Sequence, residues 1–322
     1  MSLLAASSRI GRVVEIAGWA AVAVMVALVV TQIVGWTGHR YVAALQSLVP
    51  YVLGLAFPLA AAALVTQRWA LAAVAGAVAV ALVVMAWPLL RPPAEPAAAH
   101  GATPLTVFHA NLLYLNTRHE ETVDAVTAAD ADVLAFTEYT PGAAAALHAS
   151  PLADEYPYRI EYSHPVARGT ALWSRYPLSE FRPPETKSAA VLARVESSDP
   201  VVVLAVHVTS PLISTDDWSS ELRNLDVAPL RDGEPVVIVG DFNATFWHPR
   251  FRALLSNGWR DAHQALGRGF STSWPDDIQP IPNFVRIDHA LLNEHAVATA
   301  VEDVGVPGSD HVAFVVTLVP AA

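Results

Sequence analysis

The chain contains no cysteine and a single lysine, Lys187. Without cysteine there are no disulfides, thiolate nucleophiles or cysteine-based zinc sites, and this holds on either side of a membrane. One lysine and no cluster of arginines exclude the basic surface that grips extended duplex DNA. Charge of any sign is scarce: charged residues make up 15% of the 322, against 53% hydrophobic, which is apolar for a soluble protein. The scarcity is local. Up to Arg91 the one acid is Glu15, and the bases are Arg9, Arg12, Arg40, Arg68 and Arg91. Most of the acidic excess behind the net charge of −11 lies beyond Gly101. An acidic domain repels nucleic-acid phosphates at long range. A bound divalent cation inverts that potential locally, so a small phosphoester remains an acceptable substrate.

Long hydrophobic runs are what the N-terminal region does have. Three stretches, about Val13–Trp36, Tyr41–Val65 and Trp69–Leu90, each reach the ~20 residues that span a bilayer as a helix. Trp36, Tyr41, Trp69 and Trp87 stand near their ends, as interfacial anchors do. The pattern predicts a membrane region over residues 1–91 with three transmembrane helices, and the lipid bilayer as a partner. A Pro/Ala-rich linker over 92–103 follows, then a folded domain over 104–322. With an odd number of spans, Arg9, Arg12 and Arg68 lie on one side and Arg40 and Arg91 on the other. The positive-inside rule then predicts a multi-pass protein of the cell membrane whose C-terminal domain is extracytoplasmic.

Beyond the linker, short β-rich runs alternate with helical ones, which predicts an α/β (α+β) layered domain. Strands are expected at Leu105–Leu112, Val133–Glu138, Thr170–Ser174, Val201–Val208, Val236–Gly240, Arg286–Leu292 and Ala313–Leu318, with helices at Glu120–Ala129 and Pro249–Asn257. Several of these strands end in polar residues: Asn111, Glu138, His207, then Asp241 and Asn243, and Asp288 in FVRIDH. Asp310 and His311 stand just before the last strand. Singly each is ordinary, since Asn and Asp close turns and a histidine is often a satisfied core residue. In this order they read as groups delivered to one rim of a sheet. His109 shares a face with Asn111 by the two-residue period and reads as structural. His248, His263 and His289 sit beside the motifs, Trp247, Trp259 and Trp274 read as packing, and Arg168 and Arg286 suit a phosphate or a carboxylate equally.

GDFN at 240–243, RIDH at 286–289 and GSDH at 308–311, with RGTALWSRYPL at 168–178, resemble the endonuclease/exonuclease/phosphatase superfamily. DFNATFWHPRFRALLSNGWRDAH and the later TSWP are similar to a bacterial subgroup of it with N-terminal membrane helices. The resemblance covers nearly all of 104–322 and implies the DNase I-like four-layered sandwich, two sheets packed face to face with helices outside. It implies a phosphoesterase acting on a phosphate-ester substrate: lipid headgroup, nucleotide or nucleic acid. Glu138, Asn111 and Asp310 would be the metal ligands, and hard oxygens suit Mg²⁺ or Mn²⁺. Asp241 would activate water and Asn243 position it. His207 and His311 would bind the phosphoryl oxygens, with Asp288 orienting His311. The competing expectation is a non-catalytic membrane sensor that retains the fold. No protein partner is implied.

Overall fold

The computed structural model describes residues 2–92, 94–226, 233–277 and 280–322, with side chains from residue 11 onward. Pro93 of the linker and the Arg9 side chain lie outside the described residues. The N-terminal region is helical: α1 (Ser2–Val34), α2 (Arg40–Ser47), α3 (Val49–Gly54), α4 (Ala56–Val65) and α5 (Trp69–Leu90). Within α1 the segment Gly11–Val34, and all of α5, are long and apolar enough to cross a membrane. The second stretch departs from its expectation of one straight helix. It is broken into three pieces and bends by 61°, so it is a third span only if the pieces count together. The physical cause is in the sequence. Pro50 and Pro58 remove backbone donors. Gln46, fully buried, is held by the Thr37 hydroxyl at 2.8 Å and the Trp36 carbonyl at 2.9 Å.

At one end of this bundle the Arg68 guanidinium donates to the Gly11 carbonyl (2.7 Å). At the other end Met25, Leu28, Val49, Leu53 and Leu89 pack on Phe246 and Trp247 of the C-terminal domain. The linker runs back along the domain without regular structure. Ala98 bridges to Ala321, and Arg260 donates to Glu95 at 2.7 Å.

The C-terminal domain runs β1 (Leu105–Asn111), α6 (His119–Ala129), β2 (Val133–Thr137), α7 (Pro141–His148), α8 (Leu152–Glu155), β3 (Tyr158–Tyr162), β4 (Thr170–Ser174), β5 (Leu178–Phe181), β6 (Val191–Val195) and β7 (Val201–His207). It continues α9 (Thr215–Asn224), β8 (Val236–Asp241), α10 (Pro249–Ser256), β9 (Arg260–Asp261), α11 (Ala262–Ala265), β10 (Asp288–Leu292), β11 (Ala296–Gly305) and β12 (Val312–Pro320). Every predicted strand and helix is present, with ends moved by a residue or two. β3, β5, β6, β9 and β11 are additions. The strands form two six-stranded sheets, β11-β12-β1-β2-β4-β3 and β5-β6-β7-β8-β10-β9.

The four layers follow from which faces are apolar. Between the sheets, Val107, Val133, Ala135 and Leu172 of one meet Val203, Ala205, Val237, Val239 and Ala290 of the other. The outer face of the first sheet, through Phe108, Phe136 and Trp173, packs on Val126 of α6 and Leu147 of α7. That of the second, through Leu204, Val206 and Ile238, packs on Trp218 of α9 and Phe251 of α10. Apolar on both faces, the central strands read as continuous hydrophobic runs.

Candidate active site

Each sheet has one parallel pair, β1 with β2 and β7 with β8, so the C-terminal ends of those strands share an edge. Asn111 aligns with Thr137, the neighbour of Glu138, and His207 aligns with Asp241. β10 and β12 run antiparallel to β8 and β1, so their N-terminal ends reach the same rim. Asp288 thereby stands opposite Asp241, and His311 immediately precedes β12. All eight residues singled out in the sequence meet at this rim.

Two of them sit in unusual backbone. Glu138 has φ 52 and Asn243 φ 46, the left-handed region that asparagine tolerates and glutamate rarely adopts. Around Glu138 the chain is clamped: the Tyr139 N–H donates to the Gly169 carbonyl (3.1 Å), and the His164 N–H to that of Tyr139 (3.0 Å). A Cβ at Gly169 would stand 2.0 Å from the Tyr139 oxygen, so this approach requires glycine. Gly240 has the same need, 2.0 Å from the Val206 oxygen. Asn243 closes a turn by donating its N–H to Asp241 Oδ1 (2.8 Å), and its amide donates to the Val208 carbonyl (2.9 Å).

The polar groups form one connected set. Asp288 Oδ2 accepts from His311 Nδ1 (2.8 Å) and from the Ser273 hydroxyl (2.7 Å). His311 Nε2 turns toward Asp241 Oδ2 (3.8 Å) and Asp310 Oδ1 (3.8 Å). His207 Nε2 lies 3.6 Å from Asp241 Oδ2 and 4.0 Å from Glu138 Oε1. Asn111 Nδ2 donates to Glu138 Oε1 (3.2 Å) and Asp241 Oδ2 (3.1 Å), while its Oδ1 accepts from the Leu113 N–H. In this arrangement Asn111 bridges the carboxylates. Ser309 locks the last strand's entry, donating to the Asn111 carbonyl (2.7 Å) and accepting from the His311 N–H (3.0 Å).

Burial sets the electrostatics. It pulls the His311 imidazole down, but Asp288 and Asp241 more than reverse this and raise its pKa to about 10. Burial likewise opposes ionisation of Asp288, yet His311 and His109 hold that carboxyl well below the ordinary range. For Asp241 burial wins and, with Asp288 nearby, pushes the carboxyl up despite His311. The result is an imidazolium locked to one carboxylate and facing a second carboxyl that takes up protons readily.

Do these residues fit a divalent cation? Asp241, Asp288 and His311 have ligand atoms within 4.8 Å of one another, but the His311–Asp288 hydrogen bond already engages two of those groups. Glu138 and Asp310 suit an ion better. Asp310 Oδ1 is buried without a hydrogen-bond partner. Among the described residues, the carboxylates of Glu138, Asp241, Asp288 and Asp310 have only histidine partners for charge and no lysine or arginine. Buried negative charge in excess, on hard oxygens, is the setting a divalent cation offsets.

Some contacts were not read from the sequence. Ser273, inside the TSWP motif, holds Asp288. The Tyr114 N–H donates to Glu138 Oε2 (2.8 Å). His109, read as structural, is fully buried with Nε2 3.4 Å from Asp288 Oδ1. Its two-residue spacing from Asn111 was the available signal. Trp274 is more than packing, since its indole N–H donates to Asp310 Oδ2 (3.1 Å). Arg286 pairs with Asp303 (2.6 Å), which makes it a carboxylate partner. His248 bonds to the Ala43 carbonyl (3.0 Å), and His263 to Asp303 (3.2 Å).

Residues 107–311 match the model described as the Endonuclease/Exonuclease/phosphatase family. No curated protein matches the chain. Among solved structures, the endonuclease/exonuclease/phosphatase from Beutenbergia cavernae DSM 12333 superposes with a TM-score of 0.52 at 17% identity, over 68% of this chain and 72% of that one. The TDP2 of D. rerio complexed with single strand DNA product gives 0.56 at 18% identity, over 67% of this chain and 99% of that one. Truncated Caenorhabditis elegans TDP2 gives 0.52 at 16%, over 68% and 98%. At such identities the likeness is one of fold.

Proposed function

The chain belongs to the endonuclease/exonuclease/phosphatase family, and from that membership we propose that it is a membrane-anchored, metal-dependent phosphoesterase. It hydrolyses a phosphodiester or a phosphomonoester at the rim that gathers Asn111, Glu138, His207, Asp241, Asn243, Asp288, Asp310 and His311. The observation that carries this reading is the connected set around Asp241. One buried carboxyl whose pKa is pushed up faces two imidazoles at 3.6 and 3.8 Å, beside unpaired hard oxygen.

Hydrolysis of an anionic ester needs charge neutralised, a water aimed in line and help for the leaving oxygen. Glu138 and Asp310, with Asn111 directly or through water, would hold Mg²⁺ or Mn²⁺. A bound ion supplies Lewis-acid neutralisation of the phosphoryl charge. Asp241 takes the proton of the attacking water, and Asn243 orients that water with its second amide N–H. His311, kept cationic by Asp288, and His207 donate to the phosphoryl oxygens, where charge grows in the transition state.

The two long apolar helices support anchoring in a cell membrane. With the broken α2–α4 segment counted as the third crossing, the positive-inside argument favours an extracytoplasmic catalytic domain. Protease added to intact cells then removes that domain; full protection there would overturn the placement.

The test of function is hydrolysis of bis-(p-nitrophenyl) phosphate by the full-length protein in detergent. Turnover is expected with Mg²⁺ or Mn²⁺, abolition by EDTA, and a loss of ~10²-fold or more in Glu138→Ala. A folded protein without turnover on diester or monoester would favour a sensor role instead.

A further inference from the structure

The helix bundle does not dock on a remote face of the catalytic domain. Phe246 and Trp247, buried against Met25, Leu28 and Leu89, follow Asp241 and Asn243 in the same loop. His248 then bonds to the Ala43 carbonyl (3.0 Å), and Arg252 donates to Gln32 Oε1 (2.9 Å). A second link is aromatic. The Tyr51 hydroxyl of α3 donates to the Phe284 carbonyl (2.6 Å), with their rings 6.5 Å apart. The Phe284 ring is 6.1 Å from that of Trp274. The Trp274 indole N–H reaches Asp310, whose other oxygen faces His311. Three rings thus connect an N-terminal helix to a carboxylate of the site.

Beside this row lies an open crevice of about 170 Å³ between the two regions, lined by Pro50, Tyr51, Leu89, Phe246, Phe270 and Phe284 among others. It is smaller than the ~300–1,000 Å³ of a complete ligand pocket, so it accommodates only part of an apolar molecule. Phe270 at its lip is 55% exposed. The loops that leave the site strands repeat the feature. Leu115, after Asn111, is 66% exposed, and Leu212 and Ile213, after His207, are 52% and 81% exposed. Single exposed apolar residues are ordinary. Here they stand on the loops of the catalytic rim, and Trp36, Tyr41 and Tyr51 of the N-terminal region are exposed as well.

Resting on the phosphoesterase reading above, we infer that the substrate is a phosphate ester of a lipid resident in the bilayer, presented to the site across the apolar rim of Leu115, Leu212, Ile213, Phe270 and Phe284. The headgroup phosphate reaches His311 and His207, beside Asp310, while the hydrocarbon stays on the rim, in the crevice and in the membrane. Water adds to phosphorus and the bond to the leaving oxygen breaks. Asp241 takes the water's proton, and the leaving oxygen acquires one from solvent. The acidic domain, with its single lysine, offers little to hold a long soluble polyanion in place of a lipid.

The experiment uses the full-length protein reconstituted in phosphatidylcholine vesicles. The probes are dioleoyl phosphatidate and dioleoyl phosphatidylglycerol, their water-soluble dibutyryl homologues, and bis-(p-nitrophenyl) phosphate. At equal phosphate, at least one dioleoyl lipid is expected to turn over at least tenfold faster than its dibutyryl homologue. In Leu212→Ser/Ile213→Ser the ratio of dioleoyl to dibutyryl turnover falls at least fivefold, and in Phe284→Ser it falls as well. In Glu294→Gln, at the opposite end of β10, it does not move. Equal rates for long and short chains, or a ratio unmoved by both rim variants, would overturn the inference. So would hydrolysis of bis-(p-nitrophenyl) phosphate with neither lipid cleaved, which leaves the phosphoesterase reading intact. Loss of all turnover, the soluble diester included, removes both.

Discussion

Two buried aspartate–histidine pairs stand side by side in this domain, and they are wired differently. In one, Asp261 binds His289 Nδ1, and His289 Nε2 is already spent on the Ala244 carbonyl (2.9 Å). In the other, Asp288 binds His311 Nδ1, and His311 Nε2 faces Asp241 and Asp310. The histidines are equally buried, 3% and 6% exposed, so burial does not separate them. The second nitrogen does. In the first pair it is tied to backbone; in the second it points at other acids across the rim. In both pairs burial works against the carboxylate and histidine overcomes it, holding Asp261 down to about 2 and Asp288 well below the ordinary range. The site pair adds a histidine that Asp288 and Asp241 raise to about 10.

The largest difference between the pairs is expected in turnover. His311→Gln keeps a hydrogen-bond donor but not the cation, and should lower kcat by about 10²–10³-fold. His289→Gln should leave kcat per folded molecule within a few-fold. Steady-state kinetics on one soluble diester, normalised to folded protein by circular dichroism, reads both.

Stability should order them the other way. Asp261→Ala breaks a buried pair and should cost about 3–5 kcal/mol in chemical unfolding. Asp288→Asn, which retains an acceptor for Ser273, should cost less while reducing kcat strongly.

The pH dependence sharpens the contrast through opposite signs. Asp261 has a folded pKa below its unfolded one, so its stabilising contribution is present above the ordinary carboxylate range and lost as pH falls through about 2. His311 has a folded pKa above its unfolded one, so its contribution is complete below the ordinary histidine range and lost as pH rises through about 10. Thermal melts of wild type, Asp261→Asn and Asp288→Asn across pH should lose acid-side slope in both variants, because both carboxyls are held down, and alkaline-side slope in the second alone. In the pH–rate profile the alkaline limb should move to lower pH in Asp288→Asn. The acid limb should lie above the ordinary carboxylate range, because the Asp241 pKa is raised.

The smallest effect belongs to Ser273→Ala. It removes one hydroxyl from Asp288 Oδ2 and so about 1 kcal/mol, a change of a few-fold in kcat.

The sequence made much of this legible, because strands buried on both faces are apolar runs and a polar residue at the end of such a run is conspicuous. Asn111, Glu138, His207, Asp241 and Asp288 stood out in that way. The Asp288–His311 pair was expected from the family resemblance, whereas the Asp261–His289 pair was not read. The dipeptide Asp-His occurs in both RIDH and GSDH, yet neither hydrogen-bonds within itself: Asp288 reaches forward to His311, and His289 reaches back to Asp261. Crosswise pairing of that kind depends on strand register, which local spacing does not carry. β3 and β5 escaped for another reason. They are edge strands, largely half-buried or exposed, and lack the apolar continuity that marks the centre. The break in the second apolar stretch was written in Pro50 and Pro58, but hydropathy alone overrode it.

The central claim is that His311, and not its neighbour, belongs to a phosphoester-hydrolysing site. The most direct measurement is kcat for bis-(p-nitrophenyl) phosphate with Mg²⁺, in full-length wild type, His311→Gln and His289→Gln, each corrected for folded fraction. The account predicts a loss of two orders of magnitude or more in His311→Gln alone. Equal losses in the two variants, or none in His311→Gln, would contradict it.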